Sequence, residues 1–222
     1  KKIMKKVIFS TLLFILFFLS SGIIYLSFFG YETDRFNSII KSEIKKSNKD
    51  ISLDFESISV LLDIKKLVLF VKFINPNLYY YQNPIPLESL RTDIDLEFLT
   101  QKKLVIKRAT ITTKYLDFNK IKPIVAKTGL NSENLDNIKS GKFQIKNLKL
   151  DFDENFKLKQ DFAVGGDLKK VNIKISKNYE IKNLIANFLY KKKSFHLKDV
   201  SWNLNKKEST ESEFFNGEII IN

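Results

Sequence analysis

The residues able to do chemistry are few, and each has to be weighed against a plain structural role. His196 is the only histidine, and Asp199 follows three residues on, the types a general acid–base pair would need. On an alternating strand His196 faces away from Phe195 and Leu197, which favours a solvated histidine on an outer face. Asp151, Asp153 and Asn155 open like a calcium loop, but Phe156 stands where the sharp turn needs Gly and Phe162 where a bidentate Glu is needed. Gly165-Gly166 lacks the further glycines and the Lys-Ser/Thr of a phosphate loop and reads as a hairpin turn. Asp93, Asp95 and Glu97 share one strand face with no partner in the sequence, so an outward polar face is the better reading. Tyr79, Tyr80 and Tyr81 suit an interface belt, the mouth of a binding surface, or packing in an irregular loop. No enzyme signature emerges; no catalytic residue, metal ligand set or cofactor is assigned.

Composition narrows the partners. The 222 residues contain no cysteine, which removes disulfides, thiolate metal sites, a catalytic thiol and lipid-modified cysteine. A net charge of +13 ordinarily points to nucleic acid or an anionic surface. Only Arg35, Arg91 and Arg108 are arginines among the 38 basic residues, whereas bidentate phosphate contacts favour Arg. Nucleic acid is therefore not expected as a partner; attraction to anionic headgroups stays open.

The stretch from Val7 to Phe29 organises the rest. It carries no charged side chain, and about 20 apolar helical residues cross a hydrocarbon core. Lys1, Lys2, Lys5 and Lys6 precede it, which keeps the N-terminus in the cytoplasm and exports everything after Gly30. A cleaved signal peptide is the alternative, with Ser20, Ser21 and Gly22 as the cut; it would leave Ile23 to Phe29, another apolar run, at the new N-terminus. The chain opens on Lys, so either it is a piece of a longer one or Met4 is the natural start.

Beyond the anchor, Phe36, Ile39, Ile40 and Ile44 predict a short amphipathic helix from Thr33 to about Ser47, packed on the following domain or else lying on the bilayer. After Asp50 the period becomes two. Ile51, Leu53 and Phe55 alternate with polar residues, as do Leu67, Leu69, Val71 and Phe73, then Ile94, Leu96 and Phe98, and later Val171, Ile173 and Ile175. Asn75-Pro76-Asn77 and Asn83-Pro84-Ile85-Pro86 are expected to break the sheet. Between Asn119 and Ser140 a short helix ending near Gly129 and a second helical turn are expected, with strands resuming at Lys142 and turns near Gly165-Gly166 and Ser209 to Ser212. The last residues still read as strand, so the sheet is free to continue past Asn222.

One spelling recurs: apolar, two polar, apolar. It appears as Phe55-Glu56-Ser57-Ile58, Ile64-Lys65-Lys66-Leu67, Ile106-Lys107-Arg108-Ala109, Ile145-Lys146-Asn147-Leu148, Ile181-Lys182-Asn183-Leu184 and Leu197-Lys198-Asp199-Val200. In an unbroken strand the gap would throw the later apolar residues to the opposite face. A two-residue hairpin turn or a β-bulge would prevent that, and the absence of Gly from all six favours the bulge. Bulges at matching height would curl the sheet along a common crease. The expected product is an elongated trough with an apolar concave side and a lysine-rich convex side.

Such a side needs cover. A second sheet would close it into a sandwich; an apolar ligand is the alternative. The inward residues Phe55, Phe73, Phe98, Phe143, Phe152, Phe188 and Trp202 are bulky, and an acyl chain gains about 0.8 kcal/mol per methylene buried. With Ile51, Leu53, Leu67, Leu69, Val71, Ile94, Leu96, Ile106, Ile111, Ile145, Leu148, Leu150, Ile173 and Ile175 they make up the expected lipid-binding side.

The anchor, the short helix and the run Ile51 to Leu99, with its phrase Ile58-Ser59-Val60-Leu61-Leu62, resemble the start of AsmA-like proteins. Leu104-Val105-Ile106-Lys107-Arg108-Ala109-Thr110-Ile111 resembles that family's bulged strand, and Leu148 to Lys170 one of its longer repeats. The resemblance implies a periplasmic protein anchored in the inner membrane by a single pass, with a curled sheet that binds or guides phospholipid in lipid transport or outer-membrane homeostasis. A structural or assembly factor that pairs through strand edges with another envelope protein, or with further copies, is the alternative. The layout expected is a cytoplasmic flank (1–6), anchor (7–29), juxtamembrane helix (30–50), first trough segment (51–118), helical insertion (119–141) and second trough segment (142–222). Ten to twelve strands at about 4.8 Å would make a trough of about 50 to 60 Å, little more than one bilayer.

Overall fold

A computed structural model describes residues 2–65, 68–94, 106–127, 133–153, 158–159, 162–191, 194–206 and 212–221. Helix α1 (Lys2–Phe28) is long and apolar enough to cross a membrane; most of its apolar side chains are exposed, and only Leu26 and Ser27 in its last turn are half-buried. The rest is mainly β: the described residues form thirteen strands in one antiparallel sheet.

The strands are β1 (Tyr31–Thr33), β2 (Ile51–Asp54), β3 (Ser57–Asp63), β4 (Val68–Ile74), β5 (Asn77–Tyr80), β6 (Asn83–Ile94) and β7 (Ile106–Thr113). After them come β8 (Leu116–Asp117), β9 (Ile138–Asp151), β10 (Ala163–Lys174), β11 (Tyr179–Lys191), β12 (Ser194–Lys206) and β13 (Ser212–Ile221). The main path runs β1-β3-β4-β6-β7-β9-β10-β11-β12-β13, so β1 and β13 stand at opposite ends and the sheet is not closed into a barrel. β2, β5 and β8 pair beside this path.

Among the described residues three helices follow the anchor: α2 (Asn37–Ser47), α3 (Phe118–Lys127) and the single turn α4 (Glu133–Asp136). Asp117 accepts the Asn119 amide at 2.8 Å and so caps the start of α3, whose Ile124 is buried. Gly129 lies outside the described residues, and β9 resumes the sheet at Ile138, four residues before Lys142.

The helical stripe on α2 divides. Ile40 and Ile44 pack on the cluster of Leu53, Phe55, Ile58, Val71, Phe73, Leu87 and Leu90, while Phe36 and Ile39 face outward. A second cluster joins Val171, Leu184, Ala186 and Val200 on β10 to β12, with Phe118 of α3 packed against it.

Several punctuation signals in the sequence resolve differently. Pro84 and Pro86 do not end the sheet; they lie inside β6, where that strand pairs only with β5 and the missing N–H breaks no ladder on the far side. The turn falls instead at Tyr81 and Gln82, both at positive φ, flanked by the Tyr80–Asn83 pair as in a type I′ hairpin. Asn83 steadies it by donating to the Tyr80 and Tyr81 carbonyls. Gly165-Gly166 is not a hairpin turn. It sits within β10, where a Cβ on Gly166 would fall 1.9 Å from the Gln144 carbonyl oxygen and 2.8 Å from the Phe188 ring. Of the turn expected over Ser209 to Ser212, Ser212 already belongs to β13 and the rest lies outside the described residues.

Candidate functional site

The six repeats of the apolar-polar-polar-apolar spelling separate into three kinds. Phe55-Glu56-Ser57-Ile58 is a break between β2 and β3 with equal numbers of residues on both sides, matched by Asn75 at φ 49 on the partner. Ile64 and Lys65 belong to the β3–β4 hairpin that the Asp63–Val68 pair closes, so this repeat is not a bulge; Lys66 and Leu67 lie outside the described residues.

The other four are register shifts within strands. The pairing slips at Lys107 between β6 and β7, at Lys146 between β9 and β10, between Lys182 and Ile185 on β11, and between Leu197 and Val200 on β12. A fifth, Leu168-Lys169-Lys170-Val171 on β10, carries the same spelling and the same slip. Reading Gly165-Gly166 as a chain reversal hid it.

On β10, β11 and β12 the geometry repeats residue for residue. Lys170, Asn183 and Asp199 have φ of 50, 55 and 51, and the residues that come after them, Val171, Leu184 and Val200, are the buried centre of the second cluster. A left-handed residue and then a buried aliphatic thus recur on three adjacent strands, and Val171 pairs directly with Leu184. Gly141 on β9 extends the line at φ 128.

Residues directly opposite on neighbouring strands share a side of the sheet. Leu69 stands opposite Ile94, Ile94 opposite Ile106, Leu90 opposite Ile111, and Ile111 opposite Leu148. Leu150 stands opposite Ala109, Leu148 opposite Val164, Ile145 opposite Gly166, and Phe143 opposite Leu168. Gly166 faces Phe188, Phe188 faces Leu197, and Ile173 faces Ile181. Trp202 pairs with Phe215, ring on ring at 4.2 Å. Ile94, Ile106, Ile111, Phe143, Ile145, Leu148, Leu150 and Phe188 are all half-buried.

Other members of the expected lipid-binding side are closed off by packing or lie elsewhere. Leu53, Phe55, Val71 and Phe73 are closed into the first cluster, with Phe55 and Phe73 edge to face at 4.9 Å, which leaves them no free surface. Ile51 pairs with Tyr80 on the β2–β5 ribbon. Ile175 lies past the end of β10 and is 57 % exposed, because its amide bonds the Tyr179 carbonyl in the turn. Phe152 holds an isolated bridge to Leu158. Leu67, Leu96 and Phe98 lie outside the described residues.

Val164, Tyr190, Phe195 and Leu197, not among the expected residues, lie on this same side. Val164 stands opposite Tyr190 and Tyr190 opposite Phe195, and the Phe188 and Phe195 rings stack at 6.1 Å. The same period-two count that found Ile173 would have reached them.

The opposite side carries the charges. Arg91 bonds Asp93 at 3.0 Å and covers the Phe70 ring, Arg108 bonds Asp151 at 2.6 Å, and Lys146 bonds Asp167 at 2.5 Å. The hydrogen bond that Lys146 donates to the Asp167 carboxylate raises the Lys146 pKa above the ordinary ammonium value. This side is not purely polar: Ile185 and Leu189 are exposed on it. Asp93 pairs across to Arg108, while Asp95 and Glu97 lie outside the described residues. His196 stands opposite Leu189 and contacts Ser194; Asp199 accepts from Asn187 at 2.6 Å. The two do not meet as an acid–base pair. Among the described residues no three His, Cys, Asp or Glu side chains gather into a metal site.

Comparison with models of known families, with characterised proteins and with solved structures finds no match to this chain.

Proposed function

We propose that the chain is a single-pass membrane protein whose sheet is a trough holding phospholipid acyl chains along its apolar side, to bind or guide them in lipid transport or envelope homeostasis. The observation that carries this reading is the lateral row that runs from Ile94 through Ile106, Ile111, Leu148 and Ile145 to Phe188 and Leu197, bulky and half-buried on one side of an open sheet. Ile94 and Ile111 pack on the first cluster and Leu197 on the second, where the short helices α2 and α3 also pack; between them Ile106, Leu148, Ile145 and Phe188 pack on neither cluster. The main path has ten strands, hence nine steps of about 4.8 Å, or about 43 Å, close to the thickness of one bilayer with its headgroups. In this reading α1 is the anchor, the N-terminus is cytoplasmic and the sheet is periplasmic, as the resemblance to AsmA-like proteins implies.

The test is lipid retention by the full chain. Purified in mild detergent, it should keep more phospholipid per chain than Leu148→Asp or Phe188→Asp variants of equal folding, as counted by mass spectrometry. Lipid bound around α1 is common to all three, so equal retention would overturn the trough. A second reading, an assembly factor that pairs through a strand edge, is favoured by β13, which among the described residues has a neighbour on one side only. Crosslinks from β13 to a protein, with none from the row to lipid, would support it instead.

A further inference from the structure

The junction between α1 and the sheet is tied at every step. Gly30 closes the helix in the left-handed conformation, with its amide on the Tyr25 carbonyl at 3.2 Å. It is buried against β3, where a Cβ would lie 2.8 Å from Ser59 Oγ and 2.9 Å from Leu61 Cγ. β1 then pairs Tyr31, Glu32 and Thr33 with Val60, Ser59 and Ile58, and Ser57 donates to the Glu32 carboxylate. The turn into α2 is fixed by the Asn37 amide on the Asp34 carbonyl at 2.9 Å and the Asn37 side chain on the Glu56 carbonyl at 2.7 Å.

Along this tied path, large apolar side chains point outward: Phe28, Phe29 and Tyr31, then Phe36 at 49 % exposure just before α2 and Ile39 at 57 % on its first turn. Farther along the outer face of α2 the character changes, with Glu43 and Lys46 forming an ion pair at 2.7 Å. The greasy part of that face is confined to the end nearest α1. These side chains alternate with the exposed charges of Glu32, Asp34 and Arg35, the mixture that suits a bilayer interface, which takes up an apolar face to a depth of about 5–10 Å.

We propose that the first turn of α2 rests in the headgroup layer of the same bilayer that α1 enters. Phe36 and Ile39 extend the interfacial belt begun by Phe28, Phe29 and Tyr31. The occupant is argued from continuity, since only Phe29 and Gly30 separate α1 from β1, and only Asp34 to Phe36 separate β1 from α2. The sheet is then seated with its β1–β3 end against the membrane and does not swing on a tether. The proposal rests on α1 crossing the membrane and is independent of the lipid-holding row.

The test uses the full chain in phospholipid vesicles, with Trp202→Phe as background and single reporters Phe28→Trp, Phe36→Trp, Ile39→Trp and Lys46→Trp. All four sites are exposed, so folding is preserved. In vesicles of lipid brominated near the top of the acyl chain, Phe36→Trp and Ile39→Trp should lose emission as Phe28→Trp does, with Lys46→Trp unquenched. Quenching at Phe28→Trp alone would overturn the seat while leaving the anchor. Quenching at none of them would overturn both, and quenching at all four would replace the seat with a helix lying flat along its whole length.

Discussion

A side chain on Gly141 would begin 2.6 Å from the Cα of Val171, which leaves β9 and β10 in backbone contact at that point. The contact lies where the β9–β10 register shifts between Lys169 and Asn172, beside the left-handed Lys170. Gly141→Ala therefore has to move a strand and also hold Ala at φ 128. A loss of about 3 kcal/mol is expected, measured by chemical unfolding in detergent. Gly22→Ala, with nothing within 4 Å, should leave the midpoint unmoved.

The three left-handed bulge residues differ in how well they suit that conformation. Asn and Asp tolerate it, and Asp199 further accepts from Asn187; Lys170 has no such aptitude. Lys170→Gly should stabilise the fold by about 0.5–1 kcal/mol, Asn183→Gly and Asp199→Gly less, and Lys170→Val should destabilise it. Denaturation midpoints of the four variants check the order.

Thr113 is buried, and its hydroxyl oxygen accepts the Ile145 amide at 2.9 Å, just where the bulge at Lys146 begins. Thr113→Val keeps the shape and orphans that N–H, at an expected cost of about 1–3 kcal/mol. Thr113→Ser should retain most of the stability. Amide exchange at Ile145 should quicken in the Val variant alone.

Lys41 donates to Asp54, and this bond holds the Asp54 carboxyl below the usual carboxylate range. Because the folded value is the lower one, the stabilisation is complete above the unfolded value of about 3.9 and is lost as pH falls through the folded value. Both partners are more than a third exposed, so the contribution stays below about 1 kcal/mol and fades with salt. In a carbon-detected NMR titration, Lys41→Met should move the Asp54 midpoint upward.

Much of the sheet was legible because alternation is a local signal. Ile106-Lys107-Arg108-Ala109 and Leu197-Lys198-Asp199-Val200 announce their bulges by two polar residues where one is due, and the pairing slips at both. Ile64-Lys65-Lys66-Leu67 has the same spelling, yet it falls between β3 and β4, and β4, which starts at Val68, pairs back on β3 and does not extend it. Four letters do not encode that choice. Pro84 and Pro86 misled for a related reason: proline forbids a ladder hydrogen bond only where a neighbour asks for one, and neighbours belong to the tertiary structure. β1, with three residues Tyr31 to Thr33, is too short for any periodicity, yet it fixes α1 to the sheet.

The proposal that this row holds lipid is tested most directly by a photoreactive residue on either side of β11. Phe188 lies on the side of Leu148 and Leu197, and Ile185 on the other, 46 % exposed. With benzoylphenylalanine placed singly at each position in the full chain in phospholipid vesicles, irradiation should attach phospholipid at Phe188 and not at Ile185, as read by mass spectrometry. Equal labelling at the two positions, or labelling at Ile185 alone, would contradict an acyl chain lying in the trough.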